Sequence, residues 1–367
     1  MKIRTITCHD VYNYGASLQA YALQQYLETK GHDVKIIDYK PDYMRVHYKF
    51  WHVPPSSRYY TRAMRNPILR FFLCCYFAPK RFNTIGRKWK FDKFRRNYLH
   101  LTRRYNSYAE LQAAPPAADV YIAGSDQIWN CALPNGKDPA YFLQFGNKAT
   151  RRISYAASFA IPEITTEHRK QMSNWLRCLD AISVREHTGP SILHSMGLEG
   201  VEVVDPVFLL KGHQWKAFAG SKQLIDKKYL LVYDLYLNDT RLQHEAERIS
   251  SEQGLKLVAV DANVKCPYAQ INISDAGPQE FVNLISHAEY VLSNSFHATA
   301  FALMLNRPFA VFYKYANISR MADILHHLGA DNSLNPSTPC YEFDWNKINR
   351  RIQAMRENSI QYLTEHL

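Results

Sequence analysis

The first forty residues constrain the fold more than any other stretch of the chain. Residues 2–7 read as a strand, and a polar loop follows. Leu18, Tyr21, Ala22, Gln25 and Tyr26 then recur at helical spacing, and Gly31 supplies a helix stop. Residues 34–39 are a short apolar run rich in β-branched side chains, a second strand. A strand, a loop, a helix and a strand in so short a span form a βαβ unit. Such a crossover makes its two strands parallel, which predicts an α/β fold.

The alternation continues, with one interruption. Residues 40–110 are basic and read as helical, after which strands are expected at 119–123, 152–156, 181–184 and 201–204, with a helix covering 175–179. Beyond Asp205 and Pro206 a polar stretch, 211–228, precedes a second series. Strands are expected at 229–233, 255–260, 290–293 and 309–312, helices at 241–251, 278–287 and 299–305, and a long terminal helix at 345–363. A chain of 367 residues exceeds what one hydrophobic core covers. The economical architecture is two doubly wound domains, 1–210 (with the insertion 40–110) and 211–340, with a cleft between them. Ligands of open α/β sheets bind beyond the carboxyl ends of the strands, so loops after strands are where chemistry is expected.

Charge singles out the interruption. The chain carries a net charge of +12, yet residues 40–110 hold 17 Lys and Arg against three acids, together with 17 aromatic residues. Two readings fit. A basic, aromatic segment suits an anionic membrane surface or a phosphorylated lipid; it equally suits a solvated helical subdomain whose Lys and Arg stems cover an aromatic core. Nucleic acid is not an expected partner, for no helix-turn-helix, zinc-finger or RNP-type pattern occurs. The longest apolar run, 68–78, is interrupted by Arg70 and is short of the ~20 residues of a membrane span. His9, Asp10 and Asn13 fall where a signal peptide would need apolar residues. The seven cysteines show neither CxxC pairing nor metal-ligand spacing, so the expectation is a reduced, cytoplasmic protein without a metal site.

Five loops carry candidate chemistry. In the first, Asn13 and Gly15 permit tight turning, and Ser17 is positioned to cap the following helix, whose free N–H groups favour an anion. The second is Gly124-Ser125-Asp126-Gln127-Ile128-Trp129-Asn130. Here Gly124 would turn the chain, the polar side chains would meet sugar hydroxyls and Trp129 would stack on a sugar ring; the alternative is an Asx-type turn with Trp129 as a core plug. In the third, Arg185 ends a short apolar strand, either as a fork for carboxylate or phosphate or as a surface partner of Glu186. In the fourth, an apolar strand runs into Ser293-Asn294-Ser295-Phe296-His297, which sets an imidazole at a helix start, suited to general base or anion ligand. In the fifth, Asn317 and Arg320 open another helical pattern. Arginines, a histidine and helix N-termini together suit a small, doubly anionic donor. The absence of Walker A, GxGxxG, DxD and HExxH patterns argues against nucleotide hydrolysis, dinucleotide redox chemistry, metal-assisted sugar transfer and zinc proteolysis.

Taken in order, NYGASLQAYAL, GSDQIWN, RRISYAASFA, AISVRE, VVDPVFLL, SNSFHATAFAL and NISR resemble the polysaccharide pyruvyl transferase family over nearly the whole chain. The resemblance implies a GT-B-like architecture, two Rossmann-type halves with the terminal segment, 341–367, packed back on the first. It implies a transferase that moves the pyruvyl group of phosphoenolpyruvate onto a sugar of a surface polysaccharide, such as capsule or exopolysaccharide, or of its lipid-linked precursor, forming a ketal. Phosphoenolpyruvate is then a co-substrate, and no cofactor is implied. His297 falls on the family's Ser-Phe-His position as acid/base, and Arg185 and Arg320 on its donor-holding arginines. Asn13, Gly15, Ser17, Ser295 and Asn317 would complete the donor side, and Ser125, Asp126, Gln127, Trp129 and Asn130 the acceptor side. One departure is Ala298, where the family usually has Gly, and a Cβ there would narrow the approach of a ligand to the backbone. Two other functions suit the same fold: a glycosyltransferase using a nucleotide sugar, and a non-catalytic relative at the membrane surface. The expected location is cytoplasmic, peripheral at the inner face of the cell membrane.

Overall fold

The computed structural model describes residues 1–45, 53, 57–237, 239–260, 265–313, 319–338 and 340–367, the side chains of 45, 78–84 and 319–320 excepted. Its first half begins with β1 (Lys2–Ile6), α1 (Tyr14–Thr29) and β2 (Asp33–Tyr39), the βαβ unit. There follow α2 (Asp42–Arg45), α3 (Tyr60–Arg65), the 32-residue α4 (Pro67–Tyr98), β3 (Leu101–Tyr105), α5 (Tyr108–Ala113), β4 (Val120–Ala123), β5 (Arg151–Ser154), α6 (Thr166–Leu176), β6 (Ser183–Val184), α7 (Thr188–His194) and β7 (Val201–Glu202). The strands form a parallel sheet in the order β3-β2-β1-β4-β5. Bridges from Ile153 to Ala181 and from Ala157 to Val184 extend it toward the β6–β7 pair.

The second half repeats this plan. It contains α8 (Gly212–Ala219), β8 (Tyr229–Tyr233), α9 (Thr240–Gln253), β9 (Lys256–Val260), β10 (Ile271–Ile273), α10 (Pro278–His287), β11 (Tyr290–Ser293), α11 (Phe296–Met304), β12 (Phe309–Val311), α12 (Ser319–Leu328) and α13 (Trp345–His366). Its sheet is also parallel, in the order β10-β9-β8-β11-β12. Every residue of β4, β8 and β11 is buried, as expected for strands covered by helices on both faces. Two Rossmann-type sheets facing one cleft make this a GT-B-like α/β fold.

α13 packs against the first half. The Arg356 guanidinium donates to the carbonyl of Phe208 at 2.5 Å, Ser359 Oγ accepts from the amide of Val204 at 3.0 Å, and Tyr362 donates to the carbonyl of Ser154 at 2.9 Å. The halves also share a continuous apolar core beneath the cleft, centred where α1 meets α10. There Tyr14 stacks on Phe281 with centroids 4.2 Å apart and planes 4° from parallel, and its hydroxyl donates to the carbonyl of Ala276 at 2.9 Å. A stacked aromatic pair of this kind adds about 0.5–1.5 kcal/mol to the area it buries.

The structure corrects the sequence reading in several places. Residues 40–110 are not purely an insertion, because β3 lies within them and forms the edge of the first sheet. β10 closes the edge of the second sheet and was not expected. The helix expected to cover 175–179 ends at Leu176, and the one expected at 299 begins at Phe296. Among the described residues no helix is long and apolar enough to cross a membrane.

Candidate functional site

Loops from the carboxyl ends of both sheets converge on a cavity of about 540 Å³. The first half contributes Asn13 and Gly15 after β1, Asp126 and Gln127 after β4, and Arg185 after β6. The second half contributes Tyr233, Leu235 and Tyr236 around the end of β8, Ser295, Phe296 and His297 after β11, and Tyr313 after β12. Hydrogen bonds hold the floor. Thr7 Oγ1 donates to the carbonyl of Ser125 at 2.7 Å, and Gln19 Nε2 donates to Thr7 Oγ1 at 2.9 Å, tying β1, β4 and α1 together.

The centre of the site is an ion cluster built from both halves. Arg185 Nη1 donates to Asp205 Oδ2 at 2.6 Å, with both side chains buried. His297 Nε2, from the other half, lies 3.5 Å from the same carboxylate oxygen. Burial works to raise the Asp205 carboxyl, but the His297 imidazole and the Arg185 guanidinium together hold it well below the usual carboxylate range. Burial likewise works against the Arg185 charge, and Asp205, Asp126 and Glu186 more than offset it. The Arg185 guanidinium also rests over the Phe296 ring at 5.3 Å. Two buried nitrogens, Arg185 Nε and His297 Nε2, make no hydrogen bond among the described residues. Buried polar nitrogens in that state at a cavity wall are suited to a ligand's polar atoms.

The imidazole is seated by glycine. α11 presents His297 on its first turn, and the ring lies against Gly15 at the start of α1; a Cβ on Gly15 would fall 2.0 Å from His297 Nδ1. No side chain fits there, so Gly15 serves a close approach between the halves. Two helix N-termini, those of α1 and α11, therefore face the cavity beside Arg185 and His297. The N–H groups and dipoles of such termini favour anions. Asn13 caps α1 by accepting from the amide of Ala16 at 3.1 Å. Ser17 is not the cap expected of it, being buried within the helix. Ala298 is fully buried in the core cluster, so its methyl does not enter the cavity.

The second loop divides. Asp126 and Gln127 line the cavity. Asp126, not Gly124, takes the left-handed conformation that turns the chain, with φ of 77°. Ser125 is buried beneath them, its Oγ 3.5 Å from Asp205 Oδ2. Trp129 does not offer a stacking face. It is completely buried, packs against Phe142 and Phe159, and donates from Nε1 to the carbonyl of Tyr141 at 3.0 Å. Asn130 is also buried, with Nδ2 on Gln127 at 3.2 Å and Oδ1 accepting from the amide of Ala132 at 3.0 Å. Arg185 is no surface partner of Glu186, whose Oε1 accepts from the amides of Phe159 and Ala160. Asn317 lies outside the described residues, and so does the Arg320 side chain, although its backbone belongs to the first turn of α12. Asp205 is the residue that the sequence reading missed. Its signal was an Asp-Pro step directly after an apolar run.

Among the described residues no group of three His, Cys, Asp or Glu side chains could hold a metal ion. The family model for polysaccharide pyruvyl transferase matches residues 13–313. No curated protein matches the chain by sequence. Among solved structures, the UDP-GlcNAc 2-epimerase of Neisseria meningitidis is 9% identical, with 100% of this chain and 99% of that one covered and a TM-score of 0.48. The UDP-GlcNAc 2-epimerase of Methanocaldococcus jannaschii is 12% identical, with 100% of both chains covered and a TM-score of 0.49. The glycosyltransferase SnogD of Streptomyces nogalater is 13% identical, with 100% and 99% covered and a TM-score of 0.43.

Proposed function

The chain belongs to the polysaccharide pyruvyl transferase family, and we propose that it moves the pyruvyl group of phosphoenolpyruvate onto two hydroxyls of one sugar, forming a ketal. The acceptor in this reading is a surface polysaccharide or its lipid-linked precursor, met at the inner face of the cell membrane. The observation that carries the reading is the His297–Asp205–Arg185 cluster beside two helix N-termini, a site suited to a small anion that must also receive a proton.

Each residue has a task in this scheme. The amide groups opening α1 and α11, with Arg185, hold the phosphate and carboxylate of the donor; Arg320 is assigned to the same anion. The Asp205 carboxylate, 3.5 Å from His297 Nε2, stabilises the protonated form of the imidazole. His297 delivers a proton to the methylene carbon of phosphoenolpyruvate. The π electrons of the enol phosphate take up that proton, leaving C2 electrophilic. A sugar hydroxyl adds at C2 and gives its proton back to His297. The C2–O bond to phosphate then breaks, and a neighbouring hydroxyl closes the ketal as its proton goes to the departing phosphate. The scheme balances as one phosphoenolpyruvate and one diol giving one ketal and one inorganic phosphate. Asp126 and Gln127, which also line the cavity, are assigned to the sugar hydroxyls.

The test is incubation of the purified protein with phosphoenolpyruvate and a panel of lipid-linked sugars, followed by mass spectrometry. A pyruvyl adduct on a lipid-linked sugar, with one phosphate released per adduct, supports the reading. Phosphate release without an adduct, or no reaction with any acceptor, removes it.

A further inference from the structure

The α3–α4 hairpin stands apart from the cleft chemistry and carries its own surface. Val53, Ala63 and Cys74 form a small core with Tyr60, Leu69, Leu73 and Phe77 packed on it, separate from the main core. On the other side of α4, Ile68, Phe71, Phe72 and Tyr76 are exposed by 59–68%, and Met64 of α3 by 51%. On α4, Ile68, Phe71, Phe72 and Tyr76 are spaced three or four residues apart, so they make one apolar stripe along that helix. Burying large aromatic side chains is favourable, and a soluble helix rarely turns several of them outward together.

The charge around the stripe has one sign. Arg62 and Arg65 of α3 and Arg70 of α4 are exposed on the same hairpin, and no Asp or Glu occurs anywhere between Tyr43 and Phe91. A hairpin that pairs an exposed apolar stripe with charges of cationic sign alone has the composition of a helix that lies in a membrane interface, its aromatic side chains among the acyl chains and its arginines reaching for anionic headgroups. No described helix spans a bilayer, so the contact is interfacial.

The far end of α4 is tied to the cleft. Arg87 donates from Nη2 to the carbonyl of Tyr12 at 2.9 Å and sits over the Tyr14 ring at 5.0 Å. Tyr12 donates to Asp92 at 3.1 Å, and Lys90 pairs with Asp275 at 3.1 Å and with Glu280 at 3.4 Å in the second half. Asn13, next to Tyr12, lines the cavity. At 1.5 Å per residue, the helix between Ile68 and Arg87 spans about 30 Å. α4 is therefore a strut between the apolar stripe and the cavity rim.

We infer that the exposed stripe of α3 and α4, Met64, Ile68, Phe71, Phe72 and Tyr76 with Arg62, Arg65 and Arg70, docks on an anionic lipid bilayer and holds the cavity at a fixed height above it. The inference deepens the proposed function, because a cavity so held meets acceptors carried on lipid.

The full-length protein is floated with vesicles of phosphatidylcholine alone and with vesicles of equimolar phosphatidylcholine and phosphatidylglycerol. It binds only the anionic vesicles, and added salt weakens the binding, because headgroup contacts are screened. Two variants carry the test: Ile68→Asp with Phe72→Asp, and Arg62→Gln with Arg65→Gln and Arg70→Gln. All these side chains are exposed, so both variants keep the wild-type melting temperature, and each binds anionic vesicles at least about tenfold more weakly. Equal binding to neutral vesicles, binding unaffected in either variant, or no binding by the wild-type protein overturns the inference. So does a lipid-free dimer in sedimentation velocity that the Ile68→Asp, Phe72→Asp variant dissociates, which would make the stripe a self-interface. Vesicle binding without any transferase activity leaves the docking surface standing and removes the proposed function; activity on lipid-linked acceptors without vesicle binding does the reverse.

Discussion

His297 Nε2 faces Asp205 Oδ2 at 3.5 Å across the junction of the two halves, and the same oxygen accepts Arg185 Nη1 at 2.6 Å. One carboxylate thus couples the imidazole of the second half to the guanidinium of the first. Asp205→Asn keeps the shape and removes the charge. Turnover is expected to fall about 10²–10⁴-fold, the range for a disabled acid/base unit. The melting temperature is expected to fall too, because a buried pair that loses one partner costs roughly 3–5 kcal/mol. Steady-state kinetics and thermal unfolding on the same sample separate the effects. An unchanged rate in a destabilised variant would leave Asp205 a purely structural residue.

Gly15→Ala places a methyl where the His297 ring lies, 2.0 Å from Nδ1. The ring must move, and it moves away from Asp205 or the halves part. Transfer is expected to drop at least about 10²-fold, since small misplacements of reacting groups cost that much. Ser17→Ala, on the same helix but outside the cavity, is the control and is expected to retain near-wild-type rates. Equal behaviour of the two variants would show that the Gly15–His297 approach does not matter to turnover.

Trp129 and Gln127 lie two residues apart and are expected to fail differently. Trp129→Ala empties a core position and is expected to cost about 3–5 kcal/mol of stability. Gln127→Ala lines the cavity and is expected to raise the acceptor KM with little change in melting temperature. Denaturant unfolding and acceptor titration distinguish them. A Trp129→Ala protein that is as stable as wild type but weak toward acceptor would restore the stacking role.

A second buried network gives a pH prediction. Asp38 accepts from Arg104 at 3.0 Å and pairs with His9 at 3.3 Å. Burial works to raise its carboxyl, yet His9 and Arg104 bring it down to about 2 from 3.8. A depressed carboxyl contributes stability that is fully present above the unfolded value and is lost as pH falls toward the folded one. Wild type is therefore expected to exceed Asp38→Asn by about 1–2 kcal/mol at neutral pH, and the difference is expected to vanish between pH 3.8 and about 2. A gap that persists at pH 2 would mean the Asn variant fails for reasons of packing.

Much of this fold was legible because its strands are buried on both faces. Residues of β4, β8 and β11 read as nearly unbroken apolar runs, and each is followed by a loop that lines the cavity. Edge strands left no such trace. β3 reads Leu-Thr-Arg-Arg-Tyr, with Arg103 and Arg104 partly outside the core, and so merged with the basic segment around it. β10 has three half-buried residues. The site was legible as a set of loops but not as a set of contacts. Nothing local distinguishes the buried Trp129 from an exposed one, since its partners Phe142 and Phe159 come from later loops. Asp205 was overlooked because its meaning depends on Arg185 and His297, 20 and 92 residues away in the chain.

The most direct measurement runs the transfer in deuterium oxide and examines the pyruvyl methyl by mass spectrometry and NMR. Proton delivery to the methylene carbon of phosphoenolpyruvate predicts one deuterium in that methyl. His297→Gln is expected to form product about 10²–10⁴-fold more slowly while still binding phosphoenolpyruvate, because the anion is held by the helix N-termini and Arg185. A ketal whose methyl carries no deuterium, or a His297→Gln variant that turns over at the wild-type rate, would contradict the account.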